Sequence, residues 1–427
     1  MVSGRVGKYQ RSVSIIGVGM VPFCDMAEHP EMEGLTEGEF FGTAALNAMA
    51  DAGLEPRDVE FFYHGAANPK FFNDAATPNM QVAQWFGMGG KGSAHHSEAC
   101  CTGYVALQEA VLDVASGAHD IVLSGCAEMA CGLPIKGKPA HIRKRLLLED
   151  MIPDLEGIMD RAYTRALGGG HIGQDDWIDL YRTTYGLTDE QIDEVLNTMS
   201  YHGRRAAALN PMAMHRTPFE VEAKEAGYDD PMEYLRSPFN PKTTQYLRVT
   251  GNATNADGAA CVIVCPTEMA HKFRKKPIEV LGIGSSSLEL MRPHNEMEIT
   301  REAGRQVYEV TGLTPDDIDL LFVNDFVLPS QLCAAEELGY LPRGEGWKWM
   351  LEGRCAFDGD RPINPHGGRT SYGHSFGVSG MADIYECVLQ LRGEAGAIQV
   401  KNNPKTAMLR GFGGGQNCCI PILKAVE

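Results

Sequence analysis

Two adjacent cysteines stand in a segment that could do covalent chemistry. Cys100 and Cys101 are followed by Thr102 and Gly103, at the start of a predicted helix. Free backbone N–H groups and the dipole at a helix N-terminus lower the pKa of a thiol and favour the nucleophilic thiolate. The same pattern is compatible with a buried cysteine at a strand-to-helix turn, so the segment by itself leaves both interpretations open.

Two further glycine-rich segments could assist such a nucleophile. Residues 364–380 enclose His374 between glycines, just before another predicted helix. Histidine titrates near neutral pH and suits acid–base work, although a loop histidine is commonly only solvated. The segment Gly411 to Gly415 ends a predicted strand, where backbone N–H groups could face a developing oxyanion or could simply turn the chain.

A repeat in the sequence predicts the elements that position these segments. Residues 15–19 resemble residues 280–284, and residues 53–62 resemble residues 312–321. Helical periodicity and buried-looking strands follow at matching places in both copies. The predicted helices cover residues 38–52, 102–115, 298–311 and 377–392, and the predicted strands include residues 120–124 and 406–409. Two copies of this βαβ alternation predict an α/β protein with two similar halves and mostly parallel sheets packed into one body.

The segment between the copies has a different character. Residues 131–247 are rich in Met, Arg, Tyr and Pro and contain a predicted helix over 188–209. We interpret this segment as an insertion in the first half. The predicted domains are therefore residues 1–130 with 248–270, the insertion at 131–247, and a second half at 271–427.

Composition excludes several classes of function. The 427 residues contain 38 Lys and Arg against 56 Asp and Glu, a formal net charge of −18, which disfavours a nucleic-acid or anionic-membrane binder. No run of eighteen apolar residues predicts a membrane span. The chain has twelve cysteines but no C-x-x-C, so we expect no metal in this chain and a reducing cytoplasm as its compartment.

The motifs, taken in order along the whole chain, resemble the thiolase superfamily. The family's C-x-[ST]-G turn is matched from Cys100 to Gly103, which makes Cys100 the nucleophile, and its glycine-rich histidine motif is matched from Asn364 to Gly380, with the histidine at His374. The family's N-E-A-F segment is represented by residues 324–327, and its C-terminal glycine run by Gly411 to Gly415. The resemblance implies a five-layered αβαβα body made of two βαβαβ halves, with a loop and helix insertion in the first half.

The resemblance also implies a mechanism. Cys100 attacks the 3-keto carbon of a 3-oxoacyl-CoA, and free coenzyme A later takes the acyl group from the cysteine. His374 activates both thiols and, with a water held by Asn324, stabilises the enolate. The N–H groups of Cys100 and Gly413 form a second oxyanion hole. Coenzyme A is thus expected as a substrate, and no resident cofactor is expected.

Within the superfamily, the insertion resembles that of the sterol-carrier and archaeal branch. This resemblance implies that the chain forms a homodimer and binds a small partner protein with a zinc ribbon and an OB-fold. The resemblance within this branch further implies cleavage of benzoylsuccinyl-CoA with coenzyme A to benzoyl-CoA and succinyl-CoA. Alternatives are an acetoacetyl-CoA or 3-ketoacyl-CoA thiolase, a thiolase-like retro-aldolase, and an inactive scaffold subunit.

The sequence departs from the family at the second acid–base group. The family's second cysteine would fall at Gly411 or Phe326, so this role passes to Tyr372, His366 or a water, with Cys418 less favoured. Basic residues are the candidates for binding the phosphates of coenzyme A or a substrate carboxylate, and Tyr372 and His366 are further candidates for substrate binding. For Lys136 and Arg143, a solvated surface is the favoured alternative. These basic candidates are Lys136, Arg143, Arg204 and Arg369.

Overall fold

The computed structural model describes residues 11–29, 35–67, 78–131, 133–134, 143–144, 175–287, 296–414 and 417–426. The strands in these ranges are β1 (Val13–Cys24), β2 (Phe61–Gly65), β3 (Gly92–His96), β4 (Val122–Met129), β5 (Leu133–Pro134), β6 (Arg143–Lys144), β7 (Asp257–Pro266), β8 (Ile278–Ser287), β9 (Leu320–Val323), β10 (Thr406–Gly413) and β11 (Asn417–Ala425). The helices are α1 (Glu37–Ala52), α2 (Pro78–Val82), α3 (Thr102–Ser116), α4 (Asp176–Tyr185), α5 (Asp189–Leu209), α6 (Phe219–Glu225), α7 (Pro231–Arg236), α8 (Thr267–Ala270), α9 (Glu296–Thr311), α10 (Leu328–Glu337), α11 (Gly346–Leu351), α12 (Gly368–Ser371) and α13 (Phe376–Arg392).

Local sequence signals explain where the repeated elements begin and end. Thr36 and Glu39 form a reciprocal capping box at the start of α1, and Gly53 ends that helix with a left-handed φ of 76°. The repeated Gly-Leu-x-Pro segments then form matching 3₁₀ turns, Pro56–Asp58 and Pro315–Asp317, before β2 and β9. The sequence repeat is therefore a structural repeat.

Nine of the strands form one sheet, in the order β3-β2-β4-β7-β1-β8-β11-β10-β9. Only β2–β3, β2–β4 and β9–β10 pair in parallel, and the other five neighbouring pairs are antiparallel. The expectation of mostly parallel sheets is therefore wrong. Parallel pairing is confined to the strands that a crossover helix connects, because β7 and β11 return against their neighbours in the opposite direction.

The two halves of the sheet enclose a pair of central helices. The halves join through three residue pairs between β1 and β8, from Val13↔Val280 to Ile15↔Ile278. Alternate residues of β1 face opposite sides: Ile16 packs with α1, whereas Ile15 belongs to the cluster around α3 and α13. Helix α1 covers the outer face of the first half, and α9 covers β8 and β11 of the second. The layers thus run helix, sheet, helices, sheet, helix, and the predicted α/β thiolase-type architecture is confirmed.

Helices α3 and α13 approach each other closely at a glycine. A Cβ atom added at Gly103 would lie 2.4 Å from the backbone nitrogen of Met381 and 2.8 Å from the carbonyl oxygen of Gly377. A side chain there would force the two helices apart. Because each helix begins beside one of the predicted catalytic residues, this contact controls the distance between them.

The described part of the insertion packs against the second half of the protein. Helix α5 confirms the predicted helix and begins with a capping box of Thr188 and Gln191. It contacts α11 and α12, while α4 contacts α10. The insertion follows the first half in sequence, but its helices α4 and α5 pack against helices of the second half. The exact domain boundaries stay a prediction. Among the described helices, none is long and apolar enough to cross a membrane.

Candidate active site

Cys100 lies in a tight turn between β3 and α3. The turn places Ala99 at φ 47°, a left-handed conformation that is unusual for a residue other than glycine. Thr102 fastens the turn from both sides, because its hydroxyl accepts the Glu98 N–H at 2.8 Å and donates to the Ala99 carbonyl at 2.7 Å. The hydroxyl residue two positions after the cysteine thus holds Cys100 in place.

His374 reaches this turn from the second half of the chain. Its Nε2 atom lies 3.2 Å from Sγ of Cys100, and its Nδ1 atom lies 3.0 Å from the hydroxyl of Ser379 on α13. Its backbone is also fixed, because the His374 N–H donates to the Thr254 carbonyl at 2.7 Å and its own carbonyl accepts from Ala256 at 3.1 Å. The structure therefore brings together the cysteine and the histidine that the motifs single out.

Both members of this pair are neutral at physiological pH. Burial of the sulfur, followed by the negative charge of Glu128, raises the pKa of Cys100 to about 12. The positive charge of Arg369 and the N–H groups of Cys100 and Gly414 only partly oppose this rise. Burial and the nearby Arg369 lower the pKa of His374 to about 3. The expected lowering of the thiol pKa by the helix N-terminus is thus outweighed by desolvation, and the resting pair is a thiol beside an imidazole.

The end of β10 closes the other side of the cysteine turn. A Cβ atom at Gly413 would lie 2.6 Å from the Glu98 carbonyl and 3.0 Å from Cβ of Cys101, so only glycine allows this approach. The N–H that faces the Cys100 sulfur belongs to the next residue, Gly414. Gly413 therefore packs against the cysteine turn, and its role in the second oxyanion hole stays a prediction. Gly414 supplies a further N–H beside the Cys100 sulfur, which the sequence did not indicate.

Asn324 is fixed at both ends of its side-chain amide. Its Nδ2 donates to the Phe412 carbonyl at 2.6 Å, and its Oδ1 accepts the Phe326 N–H at 3.2 Å. The residue is buried directly after β9. The amide therefore links the two backbone segments that flank the site. Its predicted role in holding a catalytic water stays a prediction.

Aromatic side chains occupy the place of the missing second cysteine. The rings of Phe326 and Phe412 lie almost parallel, 6.1 Å apart with an angle of 6°, and the Trp177 indole meets both edge-on at 6.0 and 5.8 Å. At Gly411, a Cβ atom would lie 2.4 Å from the ring of Tyr104. A cysteine at position 411 would displace the Tyr104 ring, and at position 326 the phenylalanine side chain itself stands in place of the cysteine. The sequence showed the absence of the cysteine but not what fills its place.

Arg369 does not face a substrate pocket, contrary to its assignment as a ligand for a carboxylate. Its guanidinium is fully buried and donates through both terminal nitrogens to Asp383, at 2.6 and 2.5 Å. The hydroxyl of Tyr104 and Nε2 of His366, at 3.2 Å, also contact Asp383. Burial opposes ionisation of Asp383, but the Arg369 guanidinium holds the pKa of this carboxyl well below its usual range. Because this interior network binds both residues, it argues against Arg369 as a substrate ligand and against His366 as the second acid–base group or a substrate ligand.

Tyr372 and Arg204 are likewise buried with partners of their own. The Tyr372 hydroxyl donates to Glu386 at 3.0 Å, and burial raises the pKa of Tyr372 well above its usual value. Arg204 binds the carboxylate of Glu222 at 2.5 Å and lies 4.2 Å above the ring of Phe219. These contacts argue against Tyr372 as the second acid–base group and against Arg204 as a ligand for coenzyme A.

The remaining candidates have three different outcomes. Burial raises the pKa of Cys418, whose thiol faces Thr300 and Arg410 and not the Cys100 turn. Arg143 lies in the short strand β6, of which only the backbone is described. Lys136 lies outside the described residues. The phosphate-binding role of the last two residues therefore stays a prediction.

One group of described residues has donors that could hold a metal ion. Asp25, Cys131 and Asp257 come together, all buried, where β1, β4 and β7 meet. The Asp257 carboxylate accepts the N–H groups of Cys131 and Met26 at 2.9 and 3.0 Å, and the Cys131 thiol contacts the Asn255 carbonyl at 3.2 Å. These bonds give the group a role in joining strand ends, and no step of the chemistry below depends on it.

The fold and the cysteine–histidine pair define an acyltransferase of the thiolase type, and the chain belongs to the thiolase superfamily. Residues 284–423 match the family model described as thiolase C-terminal domain-like. The chain is 30% identical over 414 residues to the benzoylsuccinyl-CoA thiolase subunit BbsB of Thauera aromatica, covering 96% of each protein. It is 29% identical over 416 residues to an acetyl-CoA acetyltransferase of Methanothermobacter thermautotrophicus, covering 95% of this chain and 97% of that protein.

A solved structure agrees with this assignment at the level of the fold. The Ltp2-ChsH2(DUF35) aldolase superposes with a TM-score of 0.74 at 22% sequence identity, over 97% of this chain and 98% of that chain. The resemblance to the thiolase superfamily inferred from the motifs is thus confirmed.

Proposed function

We propose that this chain catalyses the thiolytic cleavage of a 3-oxoacyl-CoA through an acyl group carried on Cys100. The preferred substrate is benzoylsuccinyl-CoA, which coenzyme A cleaves to benzoyl-CoA and succinyl-CoA. The contact of 3.2 Å between Sγ of Cys100 and Nε2 of His374 is the observation that carries the proposal. The similarity to the subunit BbsB supports the choice of substrate.

The first half-reaction needs one proton to move twice. Nε2 of His374 takes the thiol proton of Cys100, and the thiolate attacks the keto carbon of the substrate. The C2–C3 bond then breaks, the acyl group stays on sulfur, and C2 takes the proton back from Nε2. Because both groups are neutral at rest, the thiolate forms only when a substrate is present to accept its charge.

The second half-reaction uses the same two residues. Nε2 of His374 takes the proton of the coenzyme A thiol, whose sulfur attacks the acyl thioester. Sγ of Cys100 leaves and recovers that proton. The N–H groups of Cys100 and Gly414 are placed to stabilise the oxyanion of the tetrahedral intermediate. In this scheme His374 alone fills both acid–base roles, which is consistent with the aromatic rings at the second cysteine positions.

A retro-aldolase is the second candidate function, because the chain shares its fold with the Ltp2-ChsH2(DUF35) aldolase. Such a reaction needs a proton-transferring group but no acyl-cysteine. The contact between Cys100 and His374 favours the thiolase, and the engagement of the Tyr372 hydroxyl with Glu386 removes one tyrosine that could serve an aldolase. The same contact disfavours an inactive scaffold.

A panel of substrates tests the function. Purified protein, alone and with its partner, is incubated with benzoylsuccinyl-CoA, acetoacetyl-CoA or a β-hydroxyacyl-CoA, with and without coenzyme A. We expect cleavage of the 3-oxo compounds that depends strictly on coenzyme A, with benzoylsuccinyl-CoA cleaved fastest. Cleavage of the hydroxy compound without coenzyme A would establish the aldolase instead, and cleavage of none would support the scaffold.

We also propose a homodimer that binds a small zinc-ribbon and OB-fold protein in a reducing cytoplasm. The fold neighbour is an Ltp2-ChsH2(DUF35) aldolase, and the relative BbsB is a thiolase subunit, which supports an assembly with a second protein. None of the twelve cysteines, all of which lie in the described ranges, forms a disulfide, which fits a reducing compartment. Co-expression with a neighbouring gene of that type, followed by size exclusion, zinc analysis and assay, tests the assembly. A fully active homodimer whose rate the partner leaves unchanged would contradict it.

A further inference from the structure

Glu128 is a buried residue near the end of β4 that takes no part in the mechanism above. One oxygen of its carboxylate accepts the Ala67 N–H and the other accepts the Gly377 N–H, both at 2.6 Å. Its backbone carbonyl also accepts the Ser375 hydroxyl at 3.4 Å. Ala67 belongs to the first half of the chain, whereas Ser375 and Gly377 lie at the start of α13. A single residue therefore ties the two halves together at this point.

The start of α13 depends on this carboxylate. The first N–H groups of a helix have no partner within the helix, and the side chain of the preceding residue commonly supplies one. Ser375 occupies that position but makes no such bond. Glu128 supplies the acceptor instead, and its negative charge suits the positive end of the helix dipole. The carboxylate thus replaces a local cap.

The two contacts of Glu128 on α13 enclose a strained residue. Phe376 has a φ of 33°, a left-handed conformation that residues other than glycine rarely adopt. Ser375 and Gly377 flank it, and both bind Glu128. Such a conformation persists only where the surrounding structure fixes it. Glu128 therefore holds the backbone of Phe376 from both sides.

The strained residue contacts the histidine of the reacting pair. The rings of Phe376 and His374 meet edge-on, with their centroids 5.3 Å apart and an angle of 65°. Nε2 of His374 in turn lies 3.2 Å from Sγ of Cys100. Gly377 also touches the cysteine turn, since a Cβ atom there would lie 2.9 Å from Cβ of Thr102. A shift at the start of α13 would thus move the imidazole relative to the sulfur.

We infer that Glu128 is a positioning residue, which holds the start of α13 so that the imidazole of His374 stays against the sulfur of Cys100. It acts through the backbone on both sides of Phe376. The inference rests on the proposed thiolase function, because the proton transfer between the imidazole and the thiol is the step that this position serves.

Two substitutions of Glu128 test the inference. Glu128→Gln keeps the size of the side chain but replaces one acceptor by an NH₂ group, which cannot accept an N–H. Glu128→Asp keeps the negative charge that acts on Cys100, but its shorter side chain can reach only one of the two N–H groups. We expect each to lower kcat by roughly ten- to a hundredfold with little change in KM, because the reacting groups are displaced while the binding surface remains.

Glu336→Gln is the matched control. Glu336, on α10, is likewise a buried glutamate whose two oxygens accept glycine N–H groups, those of Gly344 and Gly346 at 2.7 and 2.8 Å. We expect this substitution to lower the melting temperature and to leave kcat unchanged. Circular dichroism verifies that each variant is folded.

A spectroscopic measurement follows the imidazole without turnover. In protein with ¹⁵N-labelled histidine, the ring signals of His374 are assigned by their absence in His374→Ala. We expect these signals to shift in Glu128→Asp and to stay unchanged in Glu336→Gln. This readout separates the inference from the proposed function, because it needs no substrate.

A double variant tests whether Glu128 acts through the histidine. We expect the loss of kcat caused by Glu128→Gln to shrink to less than about threefold in a His374→Ala background, because the group that Glu128 positions is no longer present. An undiminished loss in that background, or an unchanged kcat in folded Glu128→Gln and Glu128→Asp, would overturn the inference even if thiolysis persists. A protein that cleaves no 3-oxoacyl-CoA but shows the expected shift of the His374 signals would overturn the thiolase function and leave the role of Glu128 standing.

Discussion

Sγ of Cys100 and Nε2 of His374 lie 3.2 Å apart although 274 residues separate them in the chain. Each residue stands just before one of the two central helices, α3 and α13. Those helices can approach only because residue 103 lacks a side chain, since a Cβ there would lie 2.4 Å from the Met381 nitrogen. The contact between Cys100 and His374 is therefore a direct product of how the two halves pack together.

Replacing the two neighbouring cysteines separately should identify the nucleophile. We expect Cys100→Ser to abolish thiolysis and Cys101→Ala to keep most of it, because Cys101 is fully buried against Gly413, whereas the sulfur beside His374 is that of Cys100. Trapping the acyl-enzyme with substrate and mapping the labelled peptide by mass spectrometry provides the measurement. Label on Cys101 would show the assignment to be wrong.

The pH dependence of alkylation should report the protonation state of Cys100. A pKa raised to about 12 means that the thiolate fraction grows about tenfold for each pH unit up to that value. We therefore expect the rate of iodoacetamide labelling at Cys100 to rise steadily from pH 6 to pH 9, with Cys100→Ser as the blank. A plateau that begins below pH 7 would indicate a thiolate–imidazolium pair instead.

Ser379 should act on the reaction through His374. Its hydroxyl lies 3.0 Å from Nδ1 and fixes the orientation of the ring. We expect Ser379→Ala to lower kcat by about tenfold with little change in KM and to alter the pH profile, whereas His374→Ala costs about a thousandfold or more. Equal melting temperatures for Ser379→Ala and the wild type serve as the control. A loss confined to stability would make Ser379 a purely structural residue.

The buried Arg369–Asp383 pair should matter for folding more than for substrate binding. Breaking such a pair leaves an uncompensated buried charge and typically costs about 3 to 5 kcal/mol of unfolding free energy. We expect Asp383→Asn and Arg369→Met to lower the denaturation midpoint strongly, while KM in the surviving folded fraction stays unchanged. A large rise in KM at unchanged stability would restore Arg369 as a substrate ligand.

Restoring the family's second cysteine should be harmful here. A Cβ at Gly411 would lie 2.4 Å from the Tyr104 ring, and overpacking of this kind commonly costs about 1 to 3 kcal/mol. We expect Gly411→Cys to lower the melting temperature, and Tyr104→Ala to relieve that cost in the double variant when compared with Tyr104→Ala alone. Additive effects would mean that the ring is not the obstacle.

The sequence predicted the fold and the approach of Cys100 to His374, because both depend on local signals. The repeated glycines, prolines and hydrophobic periods indicate where elements begin and end, and the motif around His374 is long enough to be specific. The sequence could not indicate which charged side chains pair with each other in the interior. Arg369 and Arg204 carry guanidinium groups that suit anion binding. In the structure, however, Asp383 and Glu222, which lie 14 and 18 residues further along the chain, bind them.

The sequence likewise could not predict the raised pKa of Cys100 or the lowered pKa of His374. A cysteine before a helix predicts a lowered thiol pKa, but the sulfur of Cys100 is desolvated by segments from both halves and lies near Glu128. Desolvation depends on the full three-dimensional packing and has no signature in residue spacing. The contact among the rings of Trp177, Phe326 and Phe412 could not be predicted for the same reason, because the three residues come from three separate parts of the chain.

The shared sheet has a consequence for making hybrids of this protein with its relatives. The two halves of the sheet pair through only three residue pairs, Val13–Ile15 with Ile278–Val280. A hybrid that takes its two halves from different parent genes would therefore change few backbone hydrogen bonds between the halves. However, α13 packs on β7 and β4 of the other half. A chimera that exchanges one half must therefore keep the complementary packing of α3 and α13 and of α13 with β7 and β4. The two halves are expected to fold correctly only as a matched pair.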